Sequence, residues 1–115
     1  MYSKELMKGT LKTIVLKLLS EKGRLYGYEI TQHVKSLSEG KIVLTEGALY
    51  PMLHKLEAEG LLSTETVKIG KRIRKYYSLT QQGDVSASEK VNEFAAFVKT
   101  MQTVLGLPNL QLEAK

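Results

Sequence analysis

Apolar residues recur at spacings of three and four through much of residues 4–59, alternate with polar ones through 61–79, and return to helical spacing after 81. A helix buries one stripe every 3.6 residues and a strand one face every two. This change of period therefore dictates an order of helices, then a hairpin, then a helix. At 115 residues the chain has room for one domain with or without an arm. Its 43% hydrophobic and 25% charged residues are those of a globular rather than a disordered chain.

Met7, Leu11, Ile14, Val15, Leu18 and Leu19 form one stripe and predict a helix over 4–22, closed by Gly23. Gly27, Ile30, Val34 and Leu37 predict a second over 26–38. Ile42, Val43 and Leu44 are too few for a helix and read as a short extended piece. Leu49, Leu53 and Leu56 predict a third helix over 46–59, with Thr45 as N-cap and Gly60 as its stop. Pro51 falls within its first turns, where a missing N–H is expected to cost little.

Residues 61–79 read as a β-hairpin turning around Ile69 and Gly70. Alternation puts Arg72, Arg74 and Tyr76 on one face and Ile73, Tyr77 and Leu79 toward the core, with Lys75 reaching out at an edge. A last helix is predicted over 81–105 with Thr80 as N-cap. Its residues Ala87, Val91, Phe94, Val98, Met101 and Leu105 are spaced as a heptad seam. Gly106 and Pro108 end it, and 107–115 is expected to be a flexible tail. Helix, helix, helix, strand, strand is the order of a winged helix domain, in which the second and third helices form a helix-turn-helix pair and the hairpin is the wing. The expected fold is mainly α with a small β-hairpin: a winged helix-turn-helix over 1–80 and a long C-terminal dimerisation helix over 81–106.

Seventeen basic residues against twelve acidic give a net charge of +5. The excess lies in the first two thirds. Residues 1–44 hold eight basic and four acidic residues, 45–79 hold six and four, and 80–115 hold three and four. Lys68, Lys71, Arg72, Arg74 and Lys75 cluster with no acid among 68–75. Such a cluster is either a footprint for a polyanion or a merely solvated hairpin. Cysteine is absent, which removes disulfides and thiolate chemistry and fits a reducing, cytoplasmic setting. No apolar run approaches membrane-spanning length, and the N-terminus lacks the apolar region of a secretory signal. His33 and His54 lie 21 residues apart on different helices, so no metal is expected. No triad, phosphate loop or paired catalytic carboxylates can be read, so neither an enzyme nor a cofactor is expected.

Three ordered motifs carry a resemblance to a known family. Leu25-Tyr26-Gly27-Tyr28-Glu29-Ile30 opens the second helix. Glu46-Gly47-Ala48-Leu49-Tyr50-Pro51, with Leu53, Lys55-Leu56-Glu57 and Gly60-Leu61-Leu62, forms the third. Arg74-Lys75-Tyr76-Tyr77-Ser78-Leu79-Thr80, followed by Gly83, forms the second wing strand. Together they resemble the PadR-type winged helix transcriptional regulators, over about residues 6–83, and the short last helix resembles that of the compact members. The resemblance implies a repressor that dimerises through its last helix, which packs on its mate and on the first helix.

The third helix is the one expected in the major groove of double-stranded DNA. Its exposed set is Thr45, Gly47, Ala48, Tyr50, Pro51, His54 and Lys55. Small residues at 47 and 48 allow close approach, and Thr45 and Tyr50 can donate to phosphate or a base edge. The plainer alternative is a helix start that merely packs well. Glu46 is expected to serve the helix dipole or hold a basic neighbour. Tyr26, Gly27 and Tyr28 start the second helix, where unpaired N–H groups suit a phosphate. One tyrosine is expected beside the third helix and the other on the DNA backbone. Lys68, Lys71, Arg72 and Arg74 are the wing contacts.

A heptad seam needs a partner, and a palindrome reader needs a two-fold axis; a homodimer supplies both. Phe94, Phe97 and Met101 could also line a site for a small hydrophobic or aromatic effector, the alternative being plain dimer core. Tryptophan is absent, which argues against a drug-stacking platform of the kind found in some multidrug-sensing relatives. The leading reading is a dimeric repressor at a palindromic operator, relieved by a small ligand. The alternative is a winged helix used for protein interaction or architecture.

Overall fold

The structure, a computed structural model, describes residues 2–108. The elements run α1 (Lys4–Met7), α2 (Leu11–Lys22), β1 (Arg24–Tyr26), α3 (Gly27–Leu37), α4 (Glu46–Ala58), β2 (Leu62–Ile69), β3 (Arg72–Leu79) and α5 (Gln81–Val104). The strands form one antiparallel sheet in the order β1-β3-β2. The arrangement is the expected winged helix-turn-helix with a long last helix. The end of the expected flexible tail, 109–115, lies outside the described residues.

Three helices bring apolar stripes to a common core. Val15, Leu16, Leu18 and Leu19 come from α2, Ile30 and Val34 from α3, and Leu49, Leu53 and Leu56 from α4. Leu25, Leu62 and Tyr77 close it from the three strands, and Ala87 from α5. No charged or polar side chain is buried among the described residues. Burial pushes the pKa of the Tyr77 phenol up, so the ring enters the core neutral.

Four expectations are corrected. The single helix 4–22 is two helices, because Thr10 turns the chain back: its N–H and its hydroxyl both donate to the Met7 carbonyl, at 3.0 Å each. The second helix starts at Gly27. Residues 24–26 form a strand too short to leave a period in the sequence, and it exists only because β3 lies beside it. Ile73 does not face the core but is 69% exposed, since the hairpin runs past the end of the body it would pack on. Ala87 is not part of an exposed seam; it is buried within its own chain, where α5 packs on α2.

Smaller differences have equally local causes. The wing turn is Gly70-Lys71, between the paired residues Ile69 and Arg72, and Gly70 takes φ +62° at its first position. Ile42–Leu44 form no strand. Pro51 is the sixth residue of α4, so it withholds the N–H that the Gly47 carbonyl would otherwise accept; both residues are exposed, where water can take its place.

One junction fixes the direction of α5. Thr80 N–H donates to the Leu61 carbonyl at 3.0 Å, and its hydroxyl donates to the Gly60 carbonyl at 2.7 Å. The same oxygen accepts the Gly83 N–H at 3.0 Å, as an N-cap should. A Cβ on Gly83 would overlap the Leu61 carbonyl oxygen and lie 3.0 Å from its carbon. Gly83→Ala is expected to lower stability by about 1–3 kcal/mol, the usual range for overpacking, read as a drop in denaturation midpoint. The exposed Gly9→Ala, where a Cβ meets nothing within 4 Å, is the control for the method.

Candidate nucleic-acid interface

Leu49, Leu53 and Leu56 bury one side of α4, so at 100° per residue Gly47, Pro51, His54 and Lys55 must fall on the opposite side. All four are exposed, as are Thr45 and Ala48. Thr45 is the N-cap: its Oγ1 accepts the Ala48 N–H at 3.2 Å, which leaves the hydroxyl hydrogen free of this bond in an exposed residue. Glu46 sits in the first turn, where the helix dipole favours an acid, and makes no ion pair among the described residues.

Tyr50 differs from the rest of its set. It is half-buried, on the flank of α4, and its ring lies over the start of α3. A Cβ on Gly27 would overlap the Tyr50 hydroxyl and lie 2.7 Å from Cζ. Gly27 is therefore required by helix packing, in addition to any role of its N–H. Tyr28, Thr31, Leu44, Glu46, Tyr50 and Gly27 surround a small cleft of about 220 Å³ where the two helices meet. Tyr28 is 62% exposed beside it. Thr31 has no sequence signal of its own and belongs to this set only through the crossing of α3 and α4.

Tyr26 turns the other way. It is the N-cap residue of α3, its N–H donating to Glu29 Oε1 at 3.1 Å, and its ring meets Tyr76 of β3 edge to face at 5.5 Å. Neither tyrosine is buried beside the third helix as expected: Tyr26 packs on Tyr76 of β3, and Tyr28, next to Glu46 and Tyr50 of α4, stays exposed.

The wing cations divide by environment. Lys68, Lys71 and Arg72, at the tip, are exposed and make no ion pair among the described residues. Lys75 pairs with Glu57 of α4 at 3.5 Å, and Thr64 donates to the same carboxylate at 3.2 Å, which joins the hairpin base to α4. Arg74 lies with Cζ 4.0 Å from the Tyr26 ring centroid. The neighbouring Tyr76, foremost, raises its pKa, so it stays charged.

On α5, Phe94, Phe97, Val98 and Leu105 are exposed, while Val91 and Met101 are half-buried. The Phe94 and Phe97 rings stand 6.4 Å apart. A separate groove of about 1050 Å³ runs between α1 and the segment entering α4, lined in part by Met7, Leu11, Ile42, Leu44 and Met52. No helix among the described residues is long and apolar enough to cross a membrane.

The sequence pattern of the Transcriptional regulator PadR-like family matches residues 15–89, which take in most of α2, the helix-turn-helix pair, the wing and the start of α5. The chain belongs to that family. Among solved PadR-like and related regulators, one from Clostridium thermocellum superposes with a TM-score of 0.81 at 28% identity, covering 87% of this chain and 97% of that one. A PadR family transcriptional regulator from Eggerthella lenta gives 0.75 at 34% identity, covering 88% and 86%. Bacillus subtilis PadR, solved in complex with operator DNA, gives 0.65 at 34% identity over 71% of this chain, which spans 46% of that protein. The matched residues thus include the helix-turn-helix pair and the wing, and the family is one of transcriptional regulators.

The contact between Gly27 and Tyr50 is open to a direct check. Gly27→Ala is expected to destabilise the fold by about 1–3 kcal/mol. Adding Tyr50→Ala should then cost less than it does in the unmutated chain, because removing the ring also removes the clash with the new Cβ. Denaturant unfolding of the four proteins measures the coupling.

Proposed function

We propose that this PadR-like protein is a homodimeric, sequence-specific DNA-binding regulator that represses from a palindromic operator. The observation that carries this is the exposed side of α4. It presents Gly47, Ala48, Pro51, His54 and Lys55 with no apolar bulk, in a chain whose wing tip holds three cations that make no ion pair among the described residues. A groove-reading helix needs slim outward residues, and a wing that grips phosphate needs unpaired charge. Bacillus subtilis PadR, bound to operator DNA in its crystal structure, supports the same use of this fold.

Homodimerisation through α5 is supported by its surface. Among the described residues only Gly83 and Ala87 of this 24-residue helix are buried, and Phe94, Phe97 and Val98 stand at 41%, 54% and 37% exposure. A second copy would cover them and set two α4 helices on a common axis. The paired phenylalanines are also the surface on which a small hydrophobic or aromatic effector would act, relieving repression from within the dimer. A regulator of this kind works in the cytoplasm.

Sedimentation should give a dimer at tens of micromolar, and Val98→Glu should shift it toward monomer. A monomer for the unmutated chain removes the dimer from the reading.

The wing should supply affinity and α4 discrimination. Each phosphate neutralised releases about 0.9 counterion, so Arg72→Gln, present twice in a dimer, should flatten the slope of log K against log salt by about 2. Preference for operator over unrelated DNA should survive. Thr45→Ser keeps the capping oxygen but deletes the methyl that can meet a thymine methyl; it should lower discrimination and leave the slope unchanged. Titration of both DNAs at several salt concentrations measures all four quantities. Absence of any operator preference in the unmutated chain would favour an architectural or protein-binding module.

A further inference from the structure

The outer half of the wing has almost nothing to pack on. From Val67 through Lys75 no residue is buried, and Ile69 and Ile73 are 43% and 69% exposed. The ladder of β2 and β3 holds the hairpin together but does not by itself set its angle to the body. That angle depends on side chains that cross to other elements.

Such side chains form a column on the sheet face away from Tyr77. Register and alternation put Arg24 and Tyr26 of β1, Arg74 and Tyr76 of β3, and Glu65 of β2 on this face. Glu65 Oε1 accepts from Arg24 Nη1 at 2.7 Å. Arg24 Cζ lies 4.1 Å from the Tyr76 ring centroid. Tyr76 meets Tyr26 edge to face, with the planes at 80°. Arg74 completes the column on Tyr26. Tyr26 is the residue from which α3 starts, fixed there by Glu29. The column therefore runs from the wing to the first turn of the helix-turn-helix pair. On the opposite face Leu62 and Tyr77 hold the hairpin base in the core, and the Lys75–Glu57 pair and the Thr64–Glu57 hydrogen bond tie it to α4.

We propose that Arg74 is a positioning residue for DNA binding: stacked on Tyr26, it holds the wing at a fixed angle to the start of α3, and it is not itself a phosphate contact. This rests on the DNA-binding reading above and departs from the sequence expectation that Arg74 joins Arg72 on the backbone. With Cζ 4.0 Å from the ring centroid, the guanidinium is engaged by Tyr26, and swinging it out along the wing toward a phosphate would give up that contact. Lysine retains the charge but lacks the plane, so it does not replace arginine here. A wing freed from the column must be ordered anew on each binding event, which weakens binding without changing the number of phosphates met.

The test compares Arg74→Lys, Arg74→Gln and Arg72→Lys in the full chain. In the free protein, amide hydrogen exchange over residues 66–75 and at Tyr26 should speed up in both Arg74 variants and stay unchanged in Arg72→Lys. With operator DNA, both Arg74 variants should lose about threefold in affinity per protomer, the scale of one exposed cation–π contact. Both should keep the salt slope of the unmutated protein. Arg74→Lys with unmutated exchange and affinity, together with Arg74→Gln flattening the slope by about 2, would make Arg74 a phosphate contact and overturn the proposal. Unchanged exchange in both Arg74 variants would overturn it without DNA. If the unmutated chain binds no operator, the DNA-binding reading fails, and the exchange data still decide whether Arg74 holds the wing.

Discussion

The burial of Tyr77 in the central strand sets most of what surrounds it. With that ring in the leucine core, alternation leaves Tyr76 and Arg74 on the opposite face of β3. A slip of one residue would exchange the two sets, put Tyr76 or Ser78 at the core position and turn the Tyr77 ring to the other face. The paired register with β1 then brings Tyr26 against Tyr76, and Tyr26 is where α3 begins. A single hydrophobic burial thus fixes which aromatic residues meet outside the core, and through them how the wing meets the helix-turn-helix pair.

The two ends of the molecule are held by different physics. The α5 end rests on backbone groups: Thr80 satisfies the Gly60 carbonyl and caps the helix with one hydroxyl, and Gly83 lets the helix lie on the Leu61 carbonyl. These are short, directional contacts that leave little freedom in the direction of a 24-residue helix. The wing end rests on cation–π and edge-to-face contacts between half-exposed side chains. Individually these are worth about 0.5–1.5 kcal/mol, so the wing is the softer end. Softness there is compatible with a hairpin that adjusts to a phosphate backbone.

Between the ends, α4 carries a division of labour along its circumference. One arc is leucine and is spent on the core. The opposite arc is small or polar and belongs to solvent or a groove. Tyr50 lies on the flank between them and uses its ring to space α4 from α3, which requires a glycine at position 27. The PadR-like sequence motif around Tyr26–Ile30 and that around Glu46–Pro51 are therefore halves of one contact.

The sequence by itself determined the helical stripes, the caps at Thr45 and Thr80, the hairpin, the core positions of Leu49, Leu53, Leu56 and Tyr77, and the family. These are local: periodicity and capping act within a few residues, and the motifs are contiguous. Only the tertiary structure decided that residues 24–26 are a strand, that Ala87 belongs to the core, that Ile73 is exposed, and that Arg74 stacks on Tyr26 while Arg72 remains unpaired. A three-residue strand has no period to read and is created by its neighbour. Period says which face a residue takes but not whether anything lies opposite that face. For Ala87 the opposite surface is α2; for Ile73 it is water.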